Sequence, residues 1–101
     1  MSLESVTEKI TQKIARAHGL SARVTFDFGD EGAVFVDNTQ SPALVSHDAG
    51  QESDVTLICS LDHFEAILSG DKDPNIAFMM GQLKVKGSMG LALKLNSILE
   101  D

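Results

Sequence analysis

Residues 88–99, S-M-G-L-A-L-K-L-N-S-I-L, carry Met89, Leu91, Ala92, Leu93, Leu95, Ile98 and Leu99 and leave only Gly90, Lys94, Asn96 and Ser97 as a narrow polar stripe. At 3.6 residues per turn such a helix is apolar round most of its circumference, so it needs cover on two sides. The rest of the chain must supply a layer beneath it and neighbours beside it. A chain of 101 residues has room for one arrangement of this kind, a single domain over residues 1–101 with one core.

The layer beneath is legible from Arg23 onward, where the apolar period becomes two. Val24, Phe26 and Phe28 alternate with Thr25 and Asp27, Gly-Asp-Glu-Gly at 29–32 makes a turn, and Ala33 to Asp37 is extended again, which predicts a hairpin. A third strand is expected at Ala43 to His47 after Pro42. A fourth is expected at Asp54 to Ser60, with Val55, Leu57 and Cys59 on one face and the 47–54 segment, H-D-A-G-Q-E-S-D, as loop.

Helices account for the remainder. Leu3, Val6, Ile10, Ile14 and Ala17 recur at spacings of three and four, predicting an amphipathic helix over about 3–18, capped by Ser5 or Ser2 and ended by Gly19. Ser60 caps a helix that carries Phe64, Ile67 and Leu68 and ends at Gly70; Asp73-Pro74 then starts a short one closed by Gly81, following the preference for a cap and then a first-turn proline. Leu83 and Val85 alternate with Lys84 and Lys86 as a fifth strand, and Gly87-Ser88 opens the last helix, through Leu99. The order is α-β-β-β-β-α-α-β-α.

Charge and composition narrow the function. The net charge is −7, against the surplus of Lys and Arg that nucleic-acid binding requires, so no nucleic-acid partner is expected. Residues 1–23 carry +2, residues 24–73 carry −10 and residues 74–101 carry +1. The acidic middle reads first as a solvated surface that keeps the protein soluble; the sharper alternative is that both basic termini share a face suited to transient contact with an anionic membrane or acidic partner. The longest apolar run, Ile76 to Met80, has five residues, far short of the ~20 that span a bilayer. M-S-L-E-S-V-T-E-K does not resemble a secretory signal, and a lone cysteine, Cys59, forms no internal disulfide; a cytoplasmic location is expected.

Candidate chemistry is sparse. Cys59 with Asp62 and His63 is the one set from which a thiol enzyme could be built. Cys59 falls on the expected core face of a strand, however, and Asp62 stands in a helix first turn, where an acid favours the dipole. His18 and His47 have no metal-motif spacing, and Gly81, Gly87 and Gly90 do not make the G-x-G-x-x-G phosphate loop. No catalytic residue, cofactor or metal is expected.

Residues 73–99, D-P-N-I-A-F-M-M-G-Q-L-K-V-K-G-S-M-G-L-A-L-K-L-N-S-I-L, resemble the closing motif of sterol carrier protein type 2 domains: an Asp-Pro helix, a Gly-x-Leu-Lys-x-x-Gly strand and a Met-Gly-x-Ala-x-Lys-Leu helix. The leading helix, the hairpin and S-L-D-H-F-E-A-I-L-S-G extend the resemblance over essentially the whole chain. It implies an α+β fold, with a five-stranded sheet covered on one face by four to five helices and an apolar tunnel between them that accepts sterols, fatty acids or fatty acyl-CoA. It also implies a non-catalytic role of binding a lipid-like small molecule, carrying it, and presenting it to a membrane or a partner enzyme. By position, the lining falls on Phe78, Met79, Leu83, Met89, Leu91, Leu95 and Ile98, with Phe35, Leu57 and Phe64 beyond them. The chain stops at Glu100-Asp101 without the peroxisomal address of eukaryotic members and so resembles the stand-alone bacterial ones.

An empty rigid pocket of roughly 300 Å³ would cost about 7 kcal/mol at ~24 cal/mol per Å³, comparable with a small domain's whole stability. The expectation is therefore a cavity that is collapsed, wet or dynamic around the last helix until a ligand fills it. The competing expectation is a non-catalytic interaction or homodimerisation module of the same fold, in which a partner or second copy covers that helix and the cavity is vestigial.

Overall fold

Apolar positions four apart make the first helix. The computed structural model describes residues 3–16, 21–40, 43–47 and 52–100, and its first element, α1 (Leu3–Arg16), buries Val6, Ile10 and Ile14 as one stripe. Thr7 and Thr11 donate their hydroxyls to the Leu3 and Thr7 carbonyls at 2.7 and 2.8 Å, an arrangement open to hydroxyl side chains inside a helix. The expected cap at Ser2 and stop at Gly19 lie outside the described residues.

β1 (Arg23–Asp27) and β2 (Ala33–Asp37) form the expected hairpin, Val24 opposite Val36 and Phe26 opposite Val34. Their connection closes as one 3-10 turn, Gly29–Glu31, held by Asp27, whose Oδ1 accepts from the Gly29 N–H at 2.8 Å. β3 (Leu44–Ser46) adds antiparallel to β2. β4 (Val55–Cys59) lies parallel to β1, Val24 facing Val55 and Phe26 facing Leu57, and β5 (Leu83–Gly87) pairs antiparallel with β4. The sheet order is β3-β2-β1-β4-β5, so the chain passes from one edge beyond β2 and β1 before it re-enters. Asp54, expected inside the fourth strand, instead ties that re-entry together. Its Oδ2 accepts from the Arg23 N–H at 3.0 Å, its N–H donates to the Arg23 carbonyl at 2.8 Å, and its carbonyl accepts from the Ser88 N–H at 3.0 Å.

The caps are where the residue types put them. Ser60 Oγ accepts from the His63 N–H at 3.2 Å and opens α2 (Leu61–Ser69), which ends at Gly70 in the left-handed conformation, φ 85°. Asp73 Oδ1 accepts from the Asn75 N–H at 2.8 Å at the start of α3 (Pro74–Met79). Ser88 Oγ accepts from the Leu91 N–H at 3.3 Å at the start of α4 (Met89–Glu100). Gly87 belongs to the end of β5, with φ 96°; a Cβ there would lie 2.4 Å from the Asp54 carbonyl oxygen, so only glycine lets β5 pass Asp54 and turn into α4.

One contiguous core joins the sheet to the helices: Val24, Phe26, Val34, Val36, Val55, Leu57 and Leu83 from below, Val6, Ile10, Ile14, Phe64, Ile67, Leu95 and Leu99 from above. α4 is the hub of the helical layer and touches α1, α2, α3, β4 and β5. The cover it receives is uneven. Ala92, Leu95 and Leu99 are buried, whereas Met89 and Leu93 are 49% and 59% exposed. Its expected polar stripe is also broken, because Asn96 is buried and its Nδ2 donates to Asn75 Oδ1 on α3 at 3.3 Å. Among the described residues no helix is long and apolar enough to cross a membrane.

Candidate functional site

The ten residues expected to line a lipid site separate into three groups. Leu57 on β4, Phe64 on α2, Leu83 on β5 and Leu95 on α4 converge between the sheet and the helices, and none is more than 1% exposed. Two tilted ring contacts fix Phe64, with Phe26 at 5.4 Å and Phe28 at 5.2 Å between centroids, which locks α2 onto the hairpin. These four side chains are buried together in the core, and neither depression described below borders them.

A second group is at the surface. Phe78 is 41% and Met79 83% exposed on α3, and Met89 opens α4. Leu91 and Ile98 lie between the groups, half-buried against the core. Ile76, Met80 and Leu93 belong with the exposed group and were not among the residues assigned to the lining. The signal for them is α3 itself. A helix of six residues buries one side only, here Pro74 and Ala77, and Ile76, Phe78 and Met79 exceed what one side can hold.

Phe35 is the correction. It pairs with Thr25 and Ser46, and alternation puts it on the sheet face opposite Val34 and Val36, outside the shared core. It is buried there, 4% exposed, but it does not face the space beneath α4. Asp37, two residues on, shares its parity and marks that face as the polar one.

Two polar atoms are buried without a hydrogen-bond partner among the described residues, Thr25 Oγ1 on the Phe35 face and Asn96 Oδ1 between α3 and α4. The depressions described lie elsewhere. One of about 320 Å³ opens at the end of the sheet between Phe28, Ile58, Cys59, Gln82 and Lys84; one of about 230 Å³ lies by Ile67, Lys72, Asp73 and Pro74. Neither touches an expected lining residue.

Cys59 does not offer a nucleophile. Burial pushes its thiol up to about 11, against a smaller downward pull from the Lys72 ammonium, so it is protonated at neutral pH and inert. His63 lies one turn into α2, half-buried.

The SCP-2 sterol transfer family profile matches residues 3–100. The chain belongs to that family. Membership places it among lipid-binding and lipid-transfer proteins at the coarse level. Among similar proteins, Hydroxysteroid dehydrogenase-like protein 2 of Mus musculus is 30% identical over 95 residues, 93% of this chain and 19% of the mouse protein. Sterol carrier protein 2 of Homo sapiens is 33% identical over 70 residues, 69% of this chain and 13% of the human one. The chain thus spans less than a quarter of the length of these curated relatives. The solution structure of palmitated SCP2L2 from Aedes aegypti superposes with a TM-score of 0.78 at 20% identity, covering 100% of this chain and 96% of that one. The shared SCP-2 architecture is the five-stranded sheet with its helical layer on one face.

Proposed function

We propose that this chain binds one molecule of an acyl-chain or sterol-like lipid between its sheet and α4 and carries or presents it. The observation that carries this reading is the gradation of burial among the apolar side chains of the sheet, α4 and α3. Leu57, Phe64, Leu83 and Leu95 form the deep wall, Leu91 and Ile98 the step, and Phe78, Met79 and Met89 the rim, so a ligand that displaced α4 and α3 outward would meet apolar side chains along its whole path. Methionine suits such a rim, since an unbranched thioether adapts to variable shapes. Asn96 Oδ1 supports it too, as a buried acceptor that a ligand hydroxyl or acid proton would satisfy. Phe35 has no part in the lining.

The full burial of Leu57, Phe64, Leu83 and Leu95 agrees with the energetics. A vacant pocket of roughly 300 Å³ would cost about 7 kcal/mol, so the lipid must open the site it occupies. A ligand at 100 times its Kd adds about 2.7 kcal/mol to folding stability, a rise in Tm of at least about 10 °C for a domain of this size. Thermal melts with palmitate, palmitoyl-CoA and cholesterol, beside mass spectrometry of lipid extracted from the purified protein, test this. An upward shift with at least one of them, matched by a co-purifying acyl chain or sterol, is expected. No shift with any at high excess, in a lipid-free protein that runs as a stable dimer, would instead favour the interaction module.

A further inference from the structure

β1 and β4 are neighbours and run parallel, so they end side by side, Asp27 against Ile58. From that edge the chain leaves in opposite directions. β1 turns back through Gly29–Glu31 into β2 on one side, and β4 continues through α2 and α3 into β5 on the other. The same divergence at the carboxyl ends of parallel strands leaves the ligand crevice of open α/β sheets. The depression of about 320 Å³ lies there, between Phe28 after β1, Cys59 and Ser60 where β4 ends, and Gln82 and Lys84 where β5 begins. It is distinct from the space beneath α4. Its inner lining, Phe28 and Cys59, is itself part of the core, Phe28 packs on Phe64 at 5.2 Å between ring centroids, and none of Leu57, Phe64, Leu83 or Leu95 borders it.

The polar side chains that line it all offer donors. Gln82 Oε1 is taken by the Lys72 ammonium; because an ammonium only donates, that contact fixes the amide and leaves Nε2 as its free end. Ser60 Oγ accepts from the His63 N–H at 3.2 Å, so its own proton is left to donate. Lys84 is exposed and makes no ion pair or hydrogen bond among the described residues. No acid lines the depression, and Asp27, across Ile58 from Lys84, accepts from the Gly29 N–H at 2.8 Å. The remaining side chains of the lining, Phe28, Ile58 and Cys59, are apolar.

The geometry points to a second ligand site at this edge, for a small carboxylate with a compact apolar body. The body rests against Phe28, Ile58 and Cys59, and the carboxylate is held by Gln82 Nε2 and the Lys84 ammonium, with the Ser60 hydroxyl as a third donor. Donors gathered over an apolar lining select an acceptor, and a charged acceptor makes hydrogen bonds roughly twice as strong as a neutral one. The volume is at the low end for small-molecule sites. A long acyl chain fits less well, since the core side chains of the lining stop it going deeper and its tail would run out into water. The site stands whether or not the space beneath α4 takes a lipid.

Titration of isotope-labelled protein with phenylacetate, followed by proton–nitrogen correlation NMR, tests it. The backbone amides of Gly29, Ser60 and Gly81 and the side-chain amide of Gln82 should shift and saturate at millimolar ligand, as suits a molecule this small. Phenylethanol, with the same body and no charge, should bind about fivefold more weakly or worse. Lys84→Gln should weaken phenylacetate binding about fivefold. Gln82→Glu, which keeps a partner for Lys72 but sets one carboxylate against another, should weaken it about tenfold or more. Lys86→Gln, on the same sheet face but outside the depression, should leave it unchanged, and all three variants should melt as the parent does. Any of four results would overturn the proposal: no localised shifts at high excess, shifts centred on Leu57, Leu95 and Leu99, equal binding of phenylethanol, or undiminished binding to the Gln82 and Lys84 variants.

Discussion

Asp37, at the end of β2, shows how much a single side chain can hold on the sheet face away from the helices. Its Oδ1 accepts from the Thr39 N–H at 3.0 Å and from the Thr39 hydroxyl, and its Oδ2 accepts from Gln40 Nε2 at 3.1 Å and lies 3.5 Å from Arg23 Nε. The Thr39 hydroxyl and backbone N–H outweigh burial, and with smaller help from Gln40 and the Arg23 guanidinium they lower its carboxyl from 3.8 to about 2. A carboxyl lowered in the folded state stabilises fully above its unfolded value and loses that contribution as pH falls through the folded one. Asp37→Asn should therefore be less stable than the parent at neutral pH, and the gap should close between about pH 4 and pH 2. Denaturant midpoints of both proteins across that range measure it; a gap constant with pH would mean that packing, and not the carboxylate, holds the turn.

Among the elements, the β4–β5–α4 join is the least forgiving. With φ 96° and a would-be Cβ 2.4 Å from the Asp54 oxygen, Gly87→Ala forces either β5 away from β4 or the turn into α4 to change; the expected cost is about 2–4 kcal/mol, read as a lowered denaturant midpoint. Gly29→Ala, also at positive φ but with nothing near its Cβ position, should cost less and serves as the comparison. Element identities were legible in the sequence because local chemistry sets them: Ser60, Asp73-Pro74 and Gly70 act on their own neighbours, and so does the period of two from Val24 to Phe28. The return of β4 beside β1 was not, since parallel pairing depends on contacts some thirty residues apart that no local pattern encodes. The face of Phe35 was half legible. In A-V-F-V-D the alternation separates Phe35 from Val34 and Val36, but with apolar residues of both parities only Asp37 says which side is which. Asn96 looked like part of a solvated stripe because helical periodicity cannot reveal that α3 folds back over it.

For the molecule as a whole, the proposed site divides it into a scaffold and a cover. β1, β2 and β4 hold one another by backbone ladders from both sides, whereas α3 has six residues and exposes most of its apolar side chains, and few buried contacts mean a low cost of local opening. Amide hydrogen exchange should therefore be faster in α3 and the first turns of α4 than in β1 and β4. Addition of a lipid that raises the Tm should slow exchange most in those two helices; equal slowing everywhere would place the ligand outside the space beneath α4. The exposure of Ile76, Met80 and Leu93 escaped a reading by position because burial depends on which helix faces which.

The parallel pairing of β1 with β4 and the central place of α4 also govern how this chain is made. Val24 has no partner on its β4 side until Val55 has emerged from the ribosome, and the interior stays open until Leu95 and Leu99 have cleared the exit tunnel. Synthesis at about 5–20 residues per second leaves the hairpin's apolar face uncovered for seconds. Over that interval nothing in the chain itself shields the surface that α4 later closes.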